Sequence, residues 1–145
     1  MNDTDLAAAE LHGKVLYIED NPSNFAVVEA GLARLPGVQL IHAASGLEGV
    51  RMVHSECPDF VLLDMQLGDI SGLEVVRQLS EVIALRGLRV TIITGYGLSM
   101  EVIKAMSLGA FEYWVKPVDP RVLEAGVRRA LSGVRADPAR TLGKG

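Results

Sequence analysis

The stretch "DFVLLDMQLGDISG", residues 59–72, carries an apolar run, Phe60-Val61-Leu62-Leu63, that ends on a carboxylate at Asp64 and passes into Gly68, Asp69, Ser71 and Gly72. A short apolar run bounded by turn formers reads as a strand buried on both faces, the kind found inside parallel sheets. A charge at the tip of such a strand needs a reason. Taken alone, Asp64 serves equally as the end of the strand, as a cap for the next turn, or as a carboxylate that chemistry at that edge requires.

Working outward, similar runs recur along the chain at 15–18, 38–42, 90–93 and 113–115. Helix-period segments separate them. Asn21-Pro22 and Asp119-Pro120 place a capping side chain before a proline in the first turn. Ser45-Gly46-Leu47-Glu48 and Ser71-Gly72-Leu73-Glu74 both match the capping box. Phe25, Val28, Leu32 and Leu35 fall on one helix face, as do Leu73, Val76 and Leu79. Alternating strands and helices predict an α/β fold, a parallel sheet with helices on both faces, because each crossover is right-handed. Pattern alone leaves the strand order open.

A chain of 145 residues suits one domain, with 49% hydrophobic and 22% charged residues, the balance of a compact soluble fold. The net charge of -4, with no run of Lys and Arg, argues against direct nucleic acid binding. No apolar run nears the roughly 18 residues of a membrane span. The opening "MNDTDLAAAELHG" has acids where an export signal needs positive charge, and Cys57 is the only cysteine, which fits a reducing, cytoplasmic setting. Cys57 is expected to pack. Residues 1–13 read as an N-terminal extension, 14–133 as the domain and 134–145 as a flexible C-terminal tail.

In a parallel α/β sheet, ligands bind at the carboxyl ends of the strands. Here those ends carry Glu19 and Asp20, Asp64, Thr94, and Lys116-Pro117. Each is unremarkable singly; together they place carboxylates, a hydroxyl and an ammonium on one edge. Clustered carboxylates repel, and a hard divalent cation relieves that repulsion. Mg²⁺ keeps positions open for a phosphoryl oxygen, a carboxylate can attack phosphorus, and an ammonium and a hydroxyl can neutralise the equatorial oxygens.

The segments "VLYIEDNPSN", "FVLLDMQLGDISGLEVVRQL", "TIITGYG" and "GAFEYWVKP", in this order, resemble the receiver domain of two-component response regulators, over about residues 14–133. The closest flavour is that of single-domain regulators and of receivers fused to hybrid histidine kinases. The resemblance implies a doubly wound, flavodoxin-like, five-stranded sheet in the order 2-1-3-4-5. It implies that Asp64 accepts the phosphoryl group and Asp20 binds Mg²⁺ directly, while Glu19 assists through water and the Gln66 backbone carbonyl completes the protein's share of the shell. Thr94 would move toward the phosphoryl group, Lys116 would pair with it, and Tyr113 would change rotamer as Thr94 moves. The Lys116–Pro117 bond is expected to be cis.

The implied function is that of a regulator, catalysing only its own phosphorylation and dephosphorylation. The donor would be a histidine kinase or a histidine phosphotransfer protein, and the output a contact with a downstream protein. The chain would act as a monomer or a phosphorylation-dependent dimer, either as a stand-alone regulator or as the receiver of a larger kinase. The dozen or so residues after the last helix are expected to be too few for an output domain.

Some positions depart from the family pattern. Glu19 stands where many receivers have aspartate, and Gly68 replaces a common proline, which loosens that loop. Gly95 and Gly97 either loosen the switch loop or serve a turn needing positive φ. Gln66 is placed to order water at the phosphoryl group. His12, His42 and His54 show no ligand spacing. Phe111 and Trp114 are expected to pack the last strand, Met52, Met65, Met100 and Met106 to fill core or rim, and Arg128 and Arg129 to complement the last helix dipole. Two other readings compete: a pseudo-receiver scaffold that is never phosphorylated, and a haloacid-dehalogenase-type phosphatase. The phosphatase would need a second aspartate where Gln66 stands, and room for a cap.

Overall fold

The computed structural model describes residues 11–134. The extension and tail expected from the sequence therefore lie, over 1–10 and 135–145, outside the described residues. Each apolar run forms a strand: β1 (Gly13–Ile18), β2 (Val38–Ala43), β3 (Phe60–Asp64), β4 (Arg89–Thr94) and β5 (Glu112–Val115). Most run a residue or two past the apolar pattern, because backbone pairing continues into polar positions. Asp64 pairs with Ile93, and Thr94 with Val115. All pairings are parallel, and the sheet order is β2-β1-β3-β4-β5. The 2-1-3-4-5 expectation holds.

The helices are α1 (Pro22–Leu32), α2 (Gly46–Glu56), α3 (Gly72–Arg86), α4 (Met100–Ser107) and α5 (Pro120–Leu131). Their starts follow the capping signals: Asn21, Ser45, Ser71 and Asp119 each accept a bond from a first-turn N–H. The capping boxes are only half closed. Glu48 reaches back to Ala44 N, and Glu74 bonds Arg77 and Gln78 instead of its cap. Ser99 caps α4, a start that the sequence reading did not mark.

Strand alternation sends side chains to two cores. Leu16, Ile18, Val61, Leu63, Val90 and Ile92 pack beneath α2, α3 and α4. Val15, Tyr17, Phe60, Leu62, Ile93 and Trp114 pack beneath α1 and α5. Gly72 opens α3 hard against the end of β3. A Cβ there would sit 2.7 Å from Met65 Cα and 3.1 Å from the Asp64 carbonyl oxygen, so only glycine allows the helix to start so close to Asp64.

Four expectations need correction. Leu35 is buried, but from the turn after α1, which ends at Leu32. Cys57 is exposed, because it holds the left-handed cap of α2 at φ 46° and projects away from the core. Met100 is exposed on the first turn of α4. Phe111 is also exposed, 4.8 Å from the Arg89 guanidinium that stacks over its ring. Arg128 and Arg129 lie in the last turn of α5 as expected, and also pair with Glu124 and Glu112.

Candidate functional site

Asp64 ends β3 and is 1% exposed, because β1 and β4 flank it and α3 starts immediately above. Both its oxygens are held. Lys116 Nζ lies 2.7 Å from Oδ2, and the Gln66 N–H donates to Oδ1 at 2.8 Å. Lys116 follows β5, and its peptide bond to Pro117 is cis, as expected. The pairing bridges 52 residues of chain, so the sheet order creates it.

Glu19 directly follows β1 and is almost fully buried. Its Oε1 accepts from the Tyr17 hydroxyl at 3.0 Å and from Asn24 Nδ2 at 3.2 Å, and its Oε2 accepts from Asn21 N–H at 3.1 Å. Burial first, and the neighbouring Asp64 carboxylate second, push the Glu19 carboxyl up to about 7. The next residue, Asp20, is exposed. Its Oδ2 lies 3.2 Å from where a Cβ on Gly68 would stand, which places it over the β3–α3 loop near Gln66. Gly68 thereby leaves room for Asp20.

Thr94 ends β4, buried, and its Oγ1 accepts from Tyr96 N–H at 3.2 Å. Tyr113 is half-buried and packs on the α2–α4 side of the sheet. It pairs with Ile92 in register, so it shares a face with Thr94, two residues further along β4. Gly97 adopts φ +71°, so the turn alternative is the one realised there. Gln66 is exposed beside Asp64. An apolar cavity of about 480 Å³ opens beside the ion pair, with Tyr17, Asn24, Ile93 and Lys116 in its wall.

Sequence reasoning missed Tyr17, Asn24 and Asp69. Alternation alone would have placed Tyr17 on the face of Glu19. Nothing local marks Asp69, whose oxygens accept from Gly46 N and Leu47 N, both at 2.9 Å, across the β3–α3 loop. Desolvation raises the Asp69 carboxyl, yet the amides of Leu47 and Gly46 outweigh it and hold the group below the usual range. The loop that Gly68 was expected to loosen is thus tied to the start of α2. His42 is partly packed, stacked on Phe25 with ring centroids 4.2 Å apart, and its Nε2 lies 2.7 Å from the Glu19 carbonyl oxygen.

The oxygen-rich donor set suits a hard divalent ion, and the raised Glu19 carboxyl marks a buried negative site short of compensating charge. Among the described residues, no three Asp, Glu, His or Cys side chains could hold a metal ion by themselves, so a shell here needs backbone carbonyl and water oxygens as well. The pH consequence has a definite sign. Glu19 binds its proton more tightly folded than unfolded, so the native state loses stability as pH rises from the ordinary carboxylate range, 4.5, to about 7, and the cost is complete above that. In metal-free buffer, Glu19→Gln is therefore expected to raise stability by on the order of 2 kcal/mol above this window, and to change little below it. Urea midpoints on both sides of the window check this.

A family model described as the response regulator receiver domain matches residues 15–128. Polar-differentiation response regulator DivK of Brucella ovis is 32% identical over 111 residues, covering 76% of this chain and 89% of its own. Transcriptional regulatory protein AfsQ1 of Streptomyces coelicolor is 33% identical over 117 residues, covering 81% of this chain but 50% of its own. The chain thus spans about half the length of the transcriptional regulators it matches. A response regulator receiver domain protein from Clostridium thermocellum superposes with TM-score 0.72 at 31% identity, over 81% of this chain and 93% of that one. Among the described residues, no helix is long and apolar enough to cross a membrane.

Proposed function

Because the chain belongs to the response regulator receiver family of two-component signalling, we propose that it takes a phosphoryl group from a phosphohistidine onto Asp64 and switches a protein-binding face in response. The observation that carries this reading is the Asp64–Lys116 pair, 2.7 Å apart, on the strand edge that also holds Glu19, Asp20 and Thr94. One Asp64 carboxylate oxygen attacks phosphorus as the phosphorus–nitrogen bond breaks, and the electron pair leaves with the imidazole. Lys116 neutralises charge on the transferred group, and the Gln66 amide orients the carboxylate. Thr94 Oγ1 accepts from Tyr96, which leaves its own proton to donate to a phosphoryl oxygen. Asp20, Asp64 and the Gln66 backbone carbonyl would hold Mg²⁺, with Glu19 acting through water, and the ion would supply charge neutralisation for the incoming phosphoryl oxygens.

Movement of Thr94 toward that group would release Tyr113 on the same sheet face and shift the populations of two states. Domain limits of 14–133, a histidine kinase or phosphotransfer protein as donor, a downstream protein as reader, a monomer or phosphorylation-dependent dimer, and a cytoplasmic setting complete the proposal.

Incubation with acetyl phosphate and Mg²⁺ tests it by intact mass. One acid-stable, base-labile phosphoryl group is expected. No adduct, together with an unchanged Tyr113 spectrum on adding beryllofluoride, would make this a scaffold. The lifetime of the adduct depends on how attacking water is ordered. Gln66 is exposed two residues past Asp64, and Gln66→Ala is expected to change the dephosphorylation rate severalfold while leaving incorporation intact. An unchanged rate removes Gln66 from that role.

A further inference from the structure

Three protein donors hold the Glu19 carboxylate. Tyr17 and Asn24 both donate to Oε1, and the Asn21 amide donates to Oε2. Tyr17 and Glu19 stand two apart along β1, so their side chains leave the sheet on the same face. Tyr17 is 2% exposed and Glu19 1% exposed, so water does not compete for this bond. Asn24 lies in the first turn of α1 and reaches back past its own cap, Asn21, whose side chain is already engaged by Ser23 N–H.

We propose that Tyr17 and Asn24 are positioning residues for the metal site. They hold the Glu19 carboxylate in one orientation beside Asp64, so that it meets the cation's water shell without searching for its rotamer. This rests on the proposed Mg²⁺ site. A carboxylate on a glutamate arm has three side-chain torsions to restrain, and the two donors on Oε1 supply that restraint. Hydrogen bonds to a metal-facing carboxylate commonly alter metal affinity by 10-fold to about 100-fold when removed.

Calorimetric titration with Mg²⁺ alone, on the full chain without any phosphodonor, reads the effect directly. Tyr17→Phe keeps the ring and deletes only the hydroxyl; it is expected to weaken Mg²⁺ binding roughly tenfold, and Tyr17→Phe with Asn24→Ala to weaken it further. In a Glu19→Ala background, Tyr17→Phe should have no added effect, because the carboxylate it donates to is gone. Unchanged affinity in Tyr17→Phe and Asn24→Ala, with Asp20→Asn still weakened, would overturn the positioning role and leave the metal site standing. An equal loss with and without Glu19 would also overturn it, by showing a purely structural effect. Unchanged affinity in Asp20→Asn would instead remove the metal site and this inference with it.

Discussion

Asp64→Asn is expected to abolish phosphoryl incorporation from acetyl phosphate while leaving the chain folded. Asparagine keeps the shape and can still accept the Gln66 N–H that Asp64 Oδ1 accepts at 2.8 Å. It loses the negative charge that attacks phosphorus and that faces Lys116 Nζ at 2.7 Å. Asp64 is buried and Lys116 only partly so, so the pair is less screened than a surface bridge. Its loss should cost some stability, but Lys116 can turn to water. Intact mass before and after incubation measures incorporation, and circular dichroism checks the fold. A folded Asp64→Asn chain that still took up one phosphoryl group would place the acceptor elsewhere. Lys116→Ala provides the complementary result: incorporation slows while Asp64 still carries the adduct, because the ammonium stabilises charge without forming the bond.

The largest effect on stability is expected at Gly126, on the inner face of α5. A Cβ there would overlap the Trp114 ring at Cζ2 and lie 2.7 Å from Cη2. Two opposing terms meet at this position. Replacing glycine by alanine inside a helix gains about 1 kcal/mol of propensity, whereas overfilling a packed core costs about 1–3 kcal/mol. Trp114 is 7% exposed and locked in the core beneath α1 and α5, so its ring cannot swing out and the clash wins. Gly126→Ala should lower stability by about 1 kcal/mol, and Gly126→Val by about 3 kcal/mol or more. Urea midpoints provide the test, and Trp114→Leu should recover part of the Gly126→Ala loss, a coupling of roughly 1 kcal/mol. An alanine variant as stable as the wild type would show that the ring has room to move. Because Trp114 sits between Tyr113 and Lys116 on β5 and just past it, displacing it should also slow phosphorylation.

Much of this was legible in the residues. The runs ending at Ile18, Leu63 and Ile93 announce buried parallel strands, and the residues following them, Glu19, Asp64 and Thr94, had to share one edge once the strands were parallel. Asn21, Ser45, Ser71 and Asp119 mark helix starts because capping is settled within one turn. Cys57 was misread because composition says that cysteines are buried on average, while its position at a left-handed helix cap turns it outward. Phe111 was misread for a similar reason: it precedes β5, and the Arg89 guanidinium covers its ring.

The sequence by itself determined the elements, their order along the chain and the chemistry available at the strand ends, because periodicity and capping act over a few residues. Only the tertiary structure decided that Lys116 closes on Asp64, that Asp69 caps α2, and that Asn24 reaches back from α1 to join Tyr17 on Glu19. The first two bonds hold a side chain against another element across 52 and 22 or 23 residues of chain, and the Asn24 bond ties α1 to the end of β1. Their geometry exists only after the strands have paired and the helices have packed, when burial removes the water that would otherwise compete for each donor.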